Sequence, residues 1–301
     1  MPDWNQVLNE ANAAGSAFDV IRRQYLAALH AKTGRNVIVY YSGWLQKPDV
    51  KGSEINDEHK NGLMTAIHQL DRNLGLDLVL HTPGGETAAT ESIVHYLCAM
   101  FGTNMRAIVP QLAMSGGTMI SCACREILMG KPSSLGPIDP QFGSIPAHGV
   151  LEEFQRAVAE TTADPGTIPV WQAIVAKYGP ALLGECQKAI NWSNQMTKDW
   201  LASGMFLGEA DAAAKAEAVV QELADHAVTL SHARHLPIEH CRAIGLKVTA
   251  LEDDQDLQER VLSVHHACML TLSATPAFKL TENHKGVAFI KLAQRMLVAQ
   301  P

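Results

Sequence analysis

Between Asn36 and Lys131 the chain switches repeatedly between short, apolar, β-rich runs and segments with helical spacing. NVIVYYSGW (36–44), LDLVLHTPGG (76–85), MRAIVPQLA (105–113) and REILMGK (125–131) are dense in Val, Ile, Leu and Tyr and read as strands. HKNGLMTAIHQL (59–70), ETAATESIVHYLCAM (86–100) and the segment that SGGTMISCAC opens read as helices. The strands are apolar on both faces, so both faces need covering. Strand and helix alternating at this spacing call for a mainly parallel α/β sheet with right-handed crossovers.

The flanking segments differ in character. Residues 1–34 read as a helical segment, stopped by Gly34. The α/β core is expected over 35–150. Over 151–301 the pattern is mainly helical: LEEFQRAVAE, the 181–202 stretch, GEADAAAKAEAVVQELADHA and VLSVHHACMLTLS. FKLTENHKGVAFIKL (278–292) reads as a small hairpin around Asn283-His284-Lys285-Gly286. The three segments are expected to form one integrated domain.

Composition narrows the function classes. A net charge of −7 with no basic cluster gives no electrostatic footprint for nucleic acid. No run of about 18 apolar residues occurs, and the first residues lack a signal-peptide pattern, so no stable membrane insertion and a cytoplasmic protein are expected. The six cysteines are scattered without a CxxC pair and read as reduced, mostly buried thiols. No histidine or cysteine spacing suggests a metal site, and no cofactor is expected.

Two glycine turns carry the chemistry. His81-Thr82-Pro83-Gly84-Gly85-Glu86 ends one strand and opens a helix; Met114-Ser115-Gly116-Gly117 does the same after the next. Ligands of α/β sheets bind at the carboxyl ends of strands. A helix start presents unpaired N–H groups, and glycine lets a ligand approach the backbone. Two such turns side by side offer donors from Gly116 and from Gly84 or Gly85 to an oxyanion, with the Ser115 hydroxyl beside them. Ser115 also has the makings of an ordinary helix N-cap.

HTPGGETAATESIVHYL, followed by IVPQLAMSGGTMISCACREILMGKPSSLGPIDPQFG, resembles the serine dehydrogenase proteinase family. That family is related to signal peptide peptidase A and, more remotely, to the Clp protease subunit and the crotonase superfamily. IPVWQAIVAKYGP, SHARHLPIEHCRAIGLKV and FKLTENHKGVAFI also resemble family segments, so the likeness covers most of 36–292. The resemblance implies a Clp/crotonase-like spiral of ββα units with a mainly helical C-terminal half. It implies a serine peptidase with Ser115 as nucleophile and Gly84, Gly85 and Gly116 as oxyanion donors. It also implies a peptide or protein substrate and a homo-oligomer.

In the related signal peptide peptidases the general base is a lysine. Lys177, in the apolar stretch IVAKY ahead of a long helix, is the position that fits, because burial favours a neutral amine. Clp subunits use Ser-His-Asp instead, which makes His148, in SIPAHGV, the competing base. Asp139, in GPIDPQ, would orient a base, bind substrate or serve only its turn. His81 is expected to pack or hydrogen-bond at its strand end. Two other functions share the fold: a crotonase-type acyl-CoA enzyme, with Glu86 or Asp139 as its acid, and a non-catalytic oligomeric scaffold.

Overall fold

The computed structural model describes residues 18–143, 145–224 and 231–293. The expected helix over 1–34 is described from α1 (Phe18–Thr33) onward, and its first 17 positions lie outside the described residues. The fold is mixed α/β around a central seven-stranded sheet. The strands are β1 (Asn36–Ser42), β2 (Leu76–His81), β3 (Met105–Val109), β5 (Glu126–Met129), β10 (Val248–Ala250), β11 (Ala277–Asn283) and β12 (Ala288–Leu292), in the spatial order β10-β5-β3-β2-β1-β11-β12. The five from β10 to β1 are parallel, and β11 and β12 are antiparallel additions.

Period-2 alternation sends neighbouring residues of β1 into two different cores. Val37, Val39 and Tyr41 join Leu26 and Leu29 of α1 and Val261, Val264 and Cys268 of α10 (Gln255–Ala274). Ile38 and Tyr40 join Leu63 and Ile67 of α2 (His59–Ile67) and Ile93 and Leu97 of α3 (Thr87–Phe101). All seven residues of β1 are therefore buried, as a run apolar on both faces requires.

One boundary differs from the sequence reading. The run 105–113 is two strands. β3 stops at Val109, before Pro110, which has no N–H for a ladder. β4 (Leu112–Ala113) then leaves the main sheet and pairs in parallel with β6 (Ser134–Leu135), which pairs with β9 (Leu236–Pro237), while β7 (Gln141–Phe142) and β8 (Ile145–Pro146) pair with each other. The hairpin expected at 278–292 is present as β11 and β12, and it extends the main sheet. Its first strand, β11, is wholly buried and pairs with β1 from Ile38↔Asn283 to Ser42↔Lys279. Its polar residues have partners that local sequence does not reveal: Glu282 holds buried Arg22 and exposed Arg23, and Asn283 Nδ2 donates to the Ala66 carbonyl.

The later helices are α4 (Gly116–Cys122), α5 (Ala147–Ala163), α6 (Ile168–Val175), α7 (Leu182–Trp200), α8 (Ala212–Ala224) and α9 (Ile238–Ala243). Positions 225–227 of the helix expected through 227 lie outside the described residues. Among the described residues no helix is long and apolar enough to cross a membrane.

Candidate active site

Leaving the sheet at β4 brings two turns together. Thr82 bridges to Ala113: its N–H donates to the Leu112 carbonyl (3.0 Å), and the Met114 N–H donates to the Thr82 carbonyl (3.0 Å). Ser115 follows at φ +50°, ψ −113°, a conformation that L residues rarely adopt. The turn is fixed by Gly117 N–H donating to the Met114 carbonyl (2.7 Å) and Met119 N–H to the Ser115 carbonyl (3.0 Å). Ser115 stands at the N-cap of α4, but its side chain makes no capping bond. The strained backbone holds out a hydroxyl that the helix does not use.

The glycines let the turns abut. At Gly84, φ is +97°, and a Cβ would lie 2.7 Å from Ser115 Cβ and 3.0 Å from Gly116 N. A Cβ on Gly116 would lie 2.7 Å from Thr90 Oγ1 and 3.6 Å from Gly85 N. The N–H groups of Gly85 and Gly116 have no hydrogen-bond partner among the described residues. Gly84, expected as a further donor, uses its N–H on Thr82 Oγ1 (3.2 Å), so its part in the site is steric.

Ser115, Gly85 and Gly116 line a cleft of about 980 Å³, together with Asp139 and His232. Asp139 is 1% exposed. Its Oδ1 faces His232 Nδ1 at 2.8 Å, and its Oδ2 accepts from Gln141 Nε2 (2.9 Å). A carboxylate only accepts, so Nδ1 carries the proton and Nε2 is the basic nitrogen. The Ser115 hydroxyl, two unpaired N–H groups and a carboxylate-oriented imidazole thus share one cavity, group types that acyl transfer uses.

Sequence reasoning missed His232. It comes from the loop before β9, far downstream of Ser115, where periodicity gives no signal. The usable hint was its place in SHARHLPIEHCRAIGLKV, one of the family-like segments. The two bases expected from sequence are not among the cleft's lining residues. Lys177 is exposed just beyond α6, its N–H closing the helix on the Ile174 carbonyl (3.0 Å). The neighbours that were to dry its amine turn elsewhere: Tyr178 joins a small cluster with Leu151, Phe154 and Leu182. His148 lies half-buried in the first turn of α5.

A serine and a lysine do meet elsewhere. Lys279 Nζ donates to Ser42 Oγ (2.7 Å) and sits 3.6 Å over the Tyr40 ring, and both residues are fully buried away from the cleft. Burial holds that amine well below the usual lysine range. His81 packs, as expected, with its ring 4.4 Å from Trp44 and 5.4 Å from Tyr41. Neither ring nitrogen has a partner, and burial pushes its pKa well down. Among the described residues no group of His, Cys, Asp and Glu could hold a metal ion.

Residues 17–262 match the family described as ClpP-like SDH-type serine proteinase. Two curated relatives come from Methanocaldococcus jannaschii. The uncharacterized protein MJ1495 is 38% identical over 102 residues, 34% of this chain and 35% of that protein. The uncharacterized protein MJ0137 is 36% identical over 110 residues, 36% of this chain and 38% of that protein. The chain spans little more than a third of the length of either relative. No solved structure matches. The match takes in Ser115, Asp139 and His232 along with most of the sheet, and on that extent the chain belongs to the ClpP-like SDH-type serine proteinase family.

Proposed function

We propose that the chain is a serine peptidase working through Ser115, His232 and Asp139. The observation that carries this reading is the shared cleft: an uncapped serine hydroxyl, two unpaired N–H groups and a histidine held by a buried aspartate. Ser115 Oγ attacks the peptide carbonyl carbon while His232 Nε2 takes the hydroxyl proton. Asp139 stabilises the imidazolium that forms. The carbonyl oxygen becomes an oxyanion and accepts from Gly85 and Gly116 N–H; losing one such donor costs about 3 kcal/mol of transition-state stabilisation. The imidazolium then protonates the leaving amine, the C–N bond breaks, and the acyl group stays on Ser115. Water, deprotonated by the same imidazole, releases it.

This reading replaces the lysine base with a histidine, because Lys177 is exposed and outside the cleft lining. The cleft also favours a peptide over an acyl-CoA thioester: no lysine or arginine is among its described lining residues to meet the phosphates of a coenzyme A. The test is labelling with a fluorophosphonate beside hydrolysis of unstructured casein. Wild type is expected to be labelled and to cleave, and Ser115→Ala to do neither. Cleavage that survives in Ser115→Ala would overturn the assignment.

A further inference from the structure

The cleft is acidic and, among its described lining residues, carries no lysine or arginine. Asp139 is engaged by His232 and Gln141. Glu54 and Glu86 are exposed, and neither carboxylate takes part in a hydrogen bond or ion pair among the described residues; the buried Lys279 amine feels the Glu54 charge only at longer range. Glu86 is the N-cap residue of α3, yet its side chain makes no capping bond.

The backbones of these two residues are fixed by the pairing that builds the site. Ile55 N–H donates to the Gly84 carbonyl (2.7 Å), and Glu86 N–H donates to the Ile55 carbonyl (2.9 Å). The glutamates therefore flank the Ile55–Gly85 bridge, next to an oxyanion donor. The same cleft has apolar lining in Ile55, Met119 and Ile138. A long cationic side chain matches both features, its methylene stem on apolar surface and its charged head on carboxylate. Exposed carboxylates lining a recess also concentrate cations and reject anions.

We infer that the cleft selects peptides carrying a lysine or arginine side chain beside the scissile bond, recognised by Glu54 and Glu86. This rests on the peptidase reading and assigns its substrate class.

The test uses fluorogenic peptides differing only in Arg, Leu or Glu beside the cleaved bond. They are turned over by wild type and by the Glu54→Gln/Glu86→Gln double variant, with reactive serines counted by fluorophosphonate. The same peptides are titrated against Ser115→Ala by fluorescence anisotropy. Wild type is expected to prefer Arg over Glu by about tenfold or more in kcat/KM. Ser115→Ala should bind them in the same order, and the preference should fall to about twofold in the double variant. Raising salt from about 0.05 M to about 0.5 M should compress it in wild type. A labelled enzyme that cleaves all three peptides equally, or a double variant that keeps the full preference, would overturn the inference. If wild type is neither labelled nor active, the peptidase reading fails, and the binding order on Ser115→Ala decides the basic-ligand preference by itself.

Discussion

Replacing Gly84 by alanine probes the close approach of the two turns. Two costs add. Gly84 has φ +97°, where an alanine is strained by about 1–3 kcal/mol. The new Cβ would then lie 2.7 Å from Ser115 Cβ, 2.9 Å from the Met114 carbonyl oxygen and 3.0 Å from Gly116 N. Ordinary contacts between such atoms begin near about 3.5 Å, so the turns must part by about 0.5–1 Å. No rotamer relieves the clash, because the neighbours are backbone or first side-chain atoms, and overpacking adds about 1–3 kcal/mol. The atoms pushed apart include the Cβ of the proposed nucleophile and the N–H of a proposed oxyanion donor. A shift of that size is expected to lower the fluorophosphonate labelling rate about 100-fold. Gly102→Ala is the control: its φ is +59°, but nothing lies within 4 Å of the new Cβ. It should lose about 1–3 kcal/mol in urea denaturation and keep its labelling rate. Labelling of Gly84→Ala within about threefold of wild type would refute the geometric argument.

The buried polar groups away from the cleft give further expectations. Lys279 has a folded pKa well below the usual 10.5, so the unfolded chain binds the extra proton between those values. Stability should therefore rise with pH through that window, and Lys279→Met should flatten the rise, read as urea midpoints at several alkaline pH values. A wild-type midpoint independent of pH would contradict this. His81→Phe keeps a ring against Trp44 and removes two unpartnered buried nitrogens. It should gain about 1 kcal/mol or more in denaturation, and a loss would show that the nitrogens have a role in the fold. Asp77 is fully buried between Arg35 (2.6 Å) and Arg106 (2.7 Å). Asp77→Asn leaves two part-buried cations short of their partner and should lose about 3–5 kcal/mol; a change below about 1 kcal/mol would refute that role.

The parts of this fold legible in the sequence are those whose cause is local. β1 and β2 are recognisable because burial on both faces forces a continuous apolar run. The Thr82–Gly85 and Met114–Gly117 turns are recognisable because only glycine allows their close approach. Less visible are features decided by distant partners. β11 carries Lys279, Glu282 and Asn283, polar residues of what reads as a small hairpin, until Ser42, Arg22 and the Ala66 carbonyl are seen to partner them. The proposed base follows the same rule. Lys177 sits in an apolar stretch of sequence, but local hydrophobicity does not say which way an amine points. His232 has no such stretch, and it is picked out only by Asp139, a residue distant in sequence. Asp139 reads in the sequence as a residue that orients a base, binds substrate or serves only its turn.

The identity of the general base is the claim on which the account turns. The measurement is the fluorophosphonate labelling rate of wild type, His232→Ala, Asp139→Asn and Lys177→Ala, each first shown to be folded. Loss of the histidine should slow labelling by about 10⁴-fold or more, loss of the carboxylate by about 10⁴-fold, and Lys177→Ala should match wild type. A His232→Ala protein labelled at the wild-type rate, with Lys177→Ala unreactive, would contradict the account and restore the lysine.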